Sequence, residues 1–241
     1  MTKIVREERL IVALDVPSAK QARELVEKLG DAARFYKVGL ELFTSGGDAT
    51  AGGYFDLIKW LAARGNKVFA DLKLYDIPET VARAVANLRS CGASFVTVHG
   101  HRSVMQAAAR DKGSLKILAV TVLTSFDQRD LEEMGSNKTV EQLVMDRARG
   151  AAETGCDGVI ASGLEAAKLK AELGDRLLIV TPGIRPVDND AKDDQKRTVD
   201  VAQAFANGVD YIVVGRPIRA APDPRAAALA IQGTVSKIFP T

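Results

Sequence analysis

Cysteine is scarce: the 241 residues contain two, Cys91 and Cys156, which form no Cys-x-x-Cys pair and fall far short of the density of a disulfide-stapled secreted domain. A disulfide framework is excluded, and a reducing cytoplasm is the expected compartment. Neither thiol follows a strand end with a base beside it, so both are read as small buried residues and not as nucleophiles. An excess of one charge is missing too. The 33 Lys and Arg residues against 31 Asp and Glu leave a formal charge of +2, too weak a field to hold nucleic acid or an acidic membrane surface, so neither is expected as a partner. Long apolar runs are lacking. None approaches the roughly 18 residues of a membrane span, and the stretch from Met1 to Arg9 mixes both charges where a signal peptide needs an apolar core. Neither export nor membrane spanning is expected.

What the chain does have is 46% hydrophobic and 27% charged residues, a balance that predicts one large folded domain over residues 1–241. Short runs rich in Val, Ile and Leu alternate with stretches whose apolar residues recur at helical spacing. Eight such pairs are read, with strands at residues 10–16, 34–40, 67–74, 95–100, 116–123, 158–162, 177–181 and 211–215. Helix starts are marked by Pro17-Ser18, by Asp76-Ile77-Pro78-Glu79 and by Ser162-Gly163-Leu164-Glu165, and the second helix is expected near residues 54–64. Several strands are apolar at nearly every position, as in a parallel sheet covered on both faces. Eight units in a chain of this length predict an α/β fold, a single-domain (β/α)8 TIM barrel. A doubly wound open sheet is the alternative, but the first strand-helix turn, Asp15-Val16-Pro17-Ser18, has no Gly-x-Gly-x-x-Gly to receive a dinucleotide. The polar stretch 185–197 is long for a connection and is read as a functional loop.

Chemistry in such a barrel sits at the carboxyl ends of the strands. The first strand leads to Asp15 and the second carries Lys37. The third ends in Asp71-Leu-Lys73, with Asp76 in the loop beyond. Asp71 and Lys73 are two apart and so share a strand face. Taken alone, they make either a rim salt bridge with Asp76 as a helix cap answered by Glu79, or an alternating Lys37-Asp71-Lys73-Asp76 set that pairs every buried charge and holds a Lys ready to give a proton. At the far end of the chain, Thr181-Pro-Gly183-Ile-Arg185 and Val214-Gly215-Arg216 follow the seventh and eighth strands. There, glycines admit backbone N–H groups to a phosphate and arginines add charge.

These residues, with Ala13-Leu14-Asp15, Tyr36-Lys37-Val38-Gly39, Asp71-x-Lys73-x-x-Asp76-Ile77-Pro78-x-Thr80, Leu123-Thr124-Ser125 and Asp193-Asp-Gln195, resemble the orotidine 5′-monophosphate decarboxylase family over nearly the whole chain. The resemblance implies decarboxylation of orotidine 5′-monophosphate to uridine 5′-monophosphate, with no metal and no organic cofactor, by a homodimer whose sites lie at the subunit interface. It implies that Lys73 donates a proton to C6 of the pyrimidine and that Asp71 faces the substrate carboxylate. Asp76 and Thr80 would be contributed across the interface. Lys37 would tie the charge network to the ribose, Asp15 would hold ribose hydroxyls and Thr124 would contact the pyrimidine. Arg185, Gln195, Gly215 and Arg216 would grip the phosphate under a lid formed by residues 185–197. One departure is Glu79, where the family more often has Asn.

Metal-dependent phosphosugar enzymes on the same barrel would need His and carboxylate ligands spread over several strand mouths. The only histidines, His99 and His101, both follow the fourth strand. His99 is read as a packed strand-end residue, His101 as exposed and Trp60 as packing. A non-catalytic phosphate-binding protein would explain the glycine-arginine turns but leave Lys73 between two aspartates without a purpose.

Overall fold

The computed structural model describes residues 4–47, 49–185 and 199–240. In chain order its first half runs β1 (Leu10–Ala13), α1 (Ala19–Leu29), β2 (Phe35–Gly39), α2 (Leu40–Thr44), α3 (Tyr54–Ala63), β3 (Lys67–Leu74), α4 (Pro78–Ser90), β4 (Phe95–His99) and α5 (Arg102–Arg110). The second half runs β5 (Lys116–Val120), α6 (Gln128–Glu133), α7 (Val140–Glu153), β6 (Gly158–Ile160), α8 (Ala166–Leu173), β7 (Leu178–Thr181), α9 (Val201–Ala206), β8 (Tyr211–Val214), α10 (Arg216–Arg219) and α11 (Pro224–Ile238). The eight strands are parallel and close in sequence order. β1 pairs with β2 on one side and with β8 on the other, Ile11 standing opposite Val213, so the open doubly wound sheet is excluded and the (β/α)8 barrel stands.

Strand alternation divides the apolar residues into two layers. Ile11, Ala13, Phe35, Phe69, Phe95, Leu118, Val180 and Tyr211 point into the barrel. Leu10, Val12, Tyr36, Val38, Val96, Ile117 and Ile212 point out against the helices. Because both faces are covered, the strands read as continuous apolar runs. At the base of the barrel Phe95 packs edge-on against Phe35 and Tyr211, with ring centroids 4.9 and 5.3 Å apart, so the interior is filled.

The amino-terminal face is held by side chains that satisfy strand N–H groups. Asp157 accepts from Ile117 N (2.8 Å) and pairs with Lys112 (2.6 Å); Asp210 accepts from Ile179 N (2.8 Å) and pairs with Lys170 (2.9 Å). Ser94 Oγ accepts from Val68 N at 3.3 Å in the equivalent place. The chain ends meet on this face. Gln232 in α11 donates to the Glu7 carbonyl at 3.0 Å, and the Arg9 guanidinium lies 3.7 Å from the centre of the Phe239 ring.

Several strands end earlier than the sequence predicts. β1 stops at Ala13 because Leu14–Val16 turns away, Val16 N donating back to the Leu14 carbonyl at 3.0 Å. β6 is three residues long and stops before Ser162. In both places the residues past the ladder form the mouth. α3 lies where the second helix is expected. The short helices α2, α6 and α10 have no counterpart in the sequence reading. Of these, α6 is started by a reciprocal cap in which Asp127 accepts from Asp130 N and Asp130 accepts from Asp127 N. Among the described residues, no helix is long and apolar enough to cross a membrane.

Candidate active site

A cavity of about 370 Å³ opens at the carboxyl ends of the strands. Its floor is a row of alternating charges carried by three adjacent strands. Asp15 follows β1, Lys37 lies on β2, and Asp71 and Lys73 lie on β3. Lys37 Nζ stands 2.8 Å from Asp15 Oδ1 and 3.6 Å from Asp71 Oδ2, and Lys73 Nζ stands 2.8 Å from Asp71 Oδ1. Gly39 leaves room for the first pair, since a Cβ there would lie 3.3 Å from Lys37 Nζ and 3.6 Å from Asp15 Oδ1.

Burial and pairing oppose each other along the row. Burial pushes the Asp71 carboxyl up, but the Lys37 and Lys73 charges, with hydrogen bonds from Lys73 and Thr97, hold it below the usual carboxylate range. Burial pulls the Lys37 ammonium down, and Asp71 with Asp15 more than offsets this and leaves it above the usual range. Both shifts favour the charged forms, so Lys37 and Asp71 keep their charges where water is largely excluded.

Sequence spacing places Asp71 and Lys73 on one strand face. The structure brings them together by a different route. The β3–β4 register shifts between Ala70 and Leu74, and Lys73 takes a left-handed backbone, φ 48°, the only positive φ at a non-glycine residue among the described residues. Such a conformation costs about 1–2 kcal/mol, and it is tied by the Lys73 N–H donating to Thr97 Oγ1 at 2.9 Å. The Thr97 hydroxyl in turn donates to Asp71 Oδ1 at 2.8 Å.

Asp76 does not join the row within one chain. It is exposed, its Oδ1 accepts from Ile77 N at 2.6 Å, and no ion pair is formed by it among the described residues. Within one chain the row therefore runs Asp15-Lys37-Asp71-Lys73, without the Asp76 that the sequence reading adds to Lys37, Asp71 and Lys73. Nor is Asp76 the cap of α4, whose capping position is Ile77, while Glu79 faces Arg83 at 3.8 Å. Thr80 lies exposed in the first turn of α4.

The other side of the cavity is lined by Thr124, Ser125, Pro182, Gly183, Arg185, Gly215 and Arg216. Thr124 is buried. Gly183 has φ +77°, a conformation that turns the chain sharply after β7. Arg185 N bonds to the Val199 carbonyl at 3.1 Å, and Gly215 and Arg216 form the start of α10. Gln195, with residues 186–197 of the expected lid, lies outside the described residues. Arg219, which the sequence reading does not single out, also lines the cavity, and its Nε is buried with no hydrogen-bond partner among the described residues. Its sign in the sequence is its place one helical turn after Arg216. Thr97 was also missed, and the only signal is a polar residue at an inward position of an apolar strand.

His99 is half-buried at the end of β4, with the Tyr75 ring 4.8 Å away, and burial lowers its pKa. His101 is exposed and stacks on Tyr75 with ring centroids 4.9 Å apart. Trp60 lies partly buried beneath the Arg23 and Arg64 guanidinium groups. Cys91 is partly buried, and burial pushes the Cys156 thiol up to about 11, which makes it a poor nucleophile. Among the described residues no group of three or more His, Cys, Asp or Glu side chains is placed to hold a metal ion.

Comparison with known proteins places this geometry in a family. A family model described as orotidine 5′-phosphate decarboxylase / HUMPS matches residues 8–231. The orotidine 5′-phosphate decarboxylase of Methylococcus capsulatus is 57% identical over 232 residues, covering 96% of this chain and 93% of the relative. That of Stenotrophomonas maltophilia is 50% identical, covering 95% and 93%. Among solved structures, the orotidine 5′-phosphate decarboxylase from Lactobacillus acidophilus superposes with a TM-score of 0.81 at 37% identity, covering 95% of this chain and 99% of that one.

Proposed function

The chain belongs to the orotidine 5′-phosphate decarboxylase / HUMPS family and decarboxylates orotidine 5′-monophosphate to uridine 5′-monophosphate in pyrimidine biosynthesis; on that premise we propose that Lys73 and Asp71 carry the reaction at the floor of the cavity. The observation that supports this reading is the Asp15-Lys37-Asp71-Lys73 row, which holds the Lys73 ammonium against Asp71 at the mouth of the barrel.

Decarboxylation breaks the bond between C6 and the carboxylate carbon. Carbon dioxide leaves, and the electron pair stays on C6, where the ring offers no sink. A fixed ammonium stabilises that carbanion electrostatically and then gives it a proton, so Lys73 serves both needs and is reprotonated from solvent. Asp71, kept ionised by its neighbours, repels the substrate carboxylate and favours its departure. Lys37 orders the row and reaches the ribose, and Asp15 accepts hydrogen bonds from ribose hydroxyls. Thr124 meets the pyrimidine. Arg185, Gln195, Gly215 and Arg216 bind the phosphate, so that binding energy remote from C6 orients the reacting carbon. The reaction so drawn uses no metal and no organic cofactor. The working form is a cytoplasmic homodimer in which Asp76 and Thr80 complete the partner's site.

Purified protein, assayed by loss of the orotate absorbance in the presence of a chelator, tests the central role. Lys73→Ala should remain folded and show no turnover. Near-normal turnover by that folded variant would remove Lys73 from the mechanism.

A further inference from the structure

Thr97 is fully buried on β4. Phe95 of this strand points into the barrel and Val96 and Val98 point to the helices, so Thr97 faces inward toward the cavity floor. A buried hydroxyl requires partners. Both partners of Thr97 belong to the charged row. Ala70 pairs with Val96 and Leu74 with Val98, so Asp71, Leu72 and Lys73 stand opposite Thr97 alone. At this break in the ladder the Lys73 N–H donates to Thr97 Oγ1, which forces the single hydroxyl proton toward Asp71 Oδ1, the same oxygen that Lys73 Nζ meets at 2.8 Å. The hydrogen bonds thus form a closed ring that starts at the Lys73 amide, passes through Thr97 and Asp71, and returns to the Lys73 ammonium.

We infer that Thr97 is a positioning residue for decarboxylation: one hydroxyl fixes the left-handed backbone of Lys73 and the carboxylate of Asp71 together, and so sets where the Lys73 ammonium stands relative to C6. The inference rests on the roles proposed above for Lys73 and Asp71. Thr97 itself touches no substrate; it acts through these two groups.

Thr97→Val keeps the shape and removes the hydroxyl, whereas Thr97→Ser keeps the hydroxyl and removes the methyl. Loss of the ring lets the ammonium wander by a fraction of an ångström to an ångström, a displacement that can cost about 100-fold. Thr97→Val should lower kcat about 10- to 100-fold, with KM and the calorimetric affinity for uridine 5′-monophosphate within about twofold of wild type. Thr97→Ser should recover most of kcat. If Thr97→Val does not fold, Thr97→Ala against Thr97→Ser makes the same comparison. A hydroxyl-free variant with wild-type kcat overturns the inference, as does a Ser variant as slow as Val, or a parallel loss of nucleotide affinity and kcat, which marks a merely structural role. Lys73→Ala assayed alongside separates the two levels. Turnover by it removes the proposed role of Lys73, whereas an inactive Lys73→Ala beside a fast Thr97→Val removes only the role of Thr97.

Discussion

Arg216 enters the cavity from the first position of α10, directly after β8 and Gly215. In the role proposed for it, this guanidinium meets the phosphate and not the reacting carbon, so its contribution to rate would depend on the phosphate being present. Arg216→Ala should lower kcat/KM for the nucleotide by on the order of 2–3 kcal/mol, roughly 30- to 150-fold, and leave the slow reaction of orotidine nearly unchanged. Equal losses with both substrates would show that Arg216 shapes the barrel mouth instead. At this scale the sequence was legible where two charges share a short motif. The Asp71-x-Lys73 spacing led to the right pair, although the strand there is bulged and the simple alternation it relied on does not hold. Asp15 was placed correctly at a strand end, but its bond to Lys37 joins residues from two strands and is invisible to local spacing. Thr97 and Arg219 were missed for the same reason. The signals in Phe-Val-Thr-Val-His and Arg-Pro-Ile-Arg, a polar residue at an inward position and an arginine one turn after another, do not by themselves separate a site residue from a packed threonine or a solvated arginine.

Strands and helices were easier to read than residues, because covering both faces of a parallel sheet leaves uninterrupted apolar runs between helical periods. Their ends were harder. The sequence of Leu14-Asp15-Val16 continues the apolar texture of β1, yet the chain turns there, with Val16 N bonded back to the Leu14 carbonyl while β2 runs on to Gly39. The face remote from the cavity has its own devices. Asp157 and Asp210 each stand just before an even-numbered strand and accept the N–H of the second residue of the odd-numbered strand before it, while a lysine from an earlier helix or loop neutralises them. Ile117 is fully buried, so removal of its acceptor leaves a donor that water reaches poorly. Asp157→Ala should therefore cost about 2–3 kcal/mol and lower the melting temperature by about 4–12 °C, with kcat per folded molecule unchanged. Calorimetry and an activity assay on the same sample check both halves. A melting temperature within 1–2 °C of wild type, on the order of the smallest shift this scale resolves, would mean that water replaces the carboxylate.

For the whole molecule, the question is whether one barrel makes a complete site. Asp76 and Thr80 sit exposed beside the cavity and outside the charged row, and the apolar side chains flanking Asp76, Tyr75 and Ile77, are 60% and 66% exposed. A two-fold partner covering this face would bury those side chains and bring its own Asp76 to the neighbouring mouth. Lys73→Ala and Asp76→Ala, each inactive alone, should regain activity when unfolded and refolded together. About half of the dimers would be mixed, and one of the two sites in each would be intact, giving about a quarter of wild-type activity. Tagged mixed dimers that form without activity would confine Asp76 to its own subunit. The closed barrel also bears on how the chain is strung through it. β1 and β8 pair as any neighbours do, and the meeting of Gln232 with Glu7 and of Arg9 with Phe239 puts the seam on the face away from the chemistry. The strand order is a ring with no privileged starting point. A circular permutant, with its old ends joined by a short peptide and new ends opened in the exposed turn between Arg64 and Lys67, keeps every strand beside its present neighbours and the charged row in its present order.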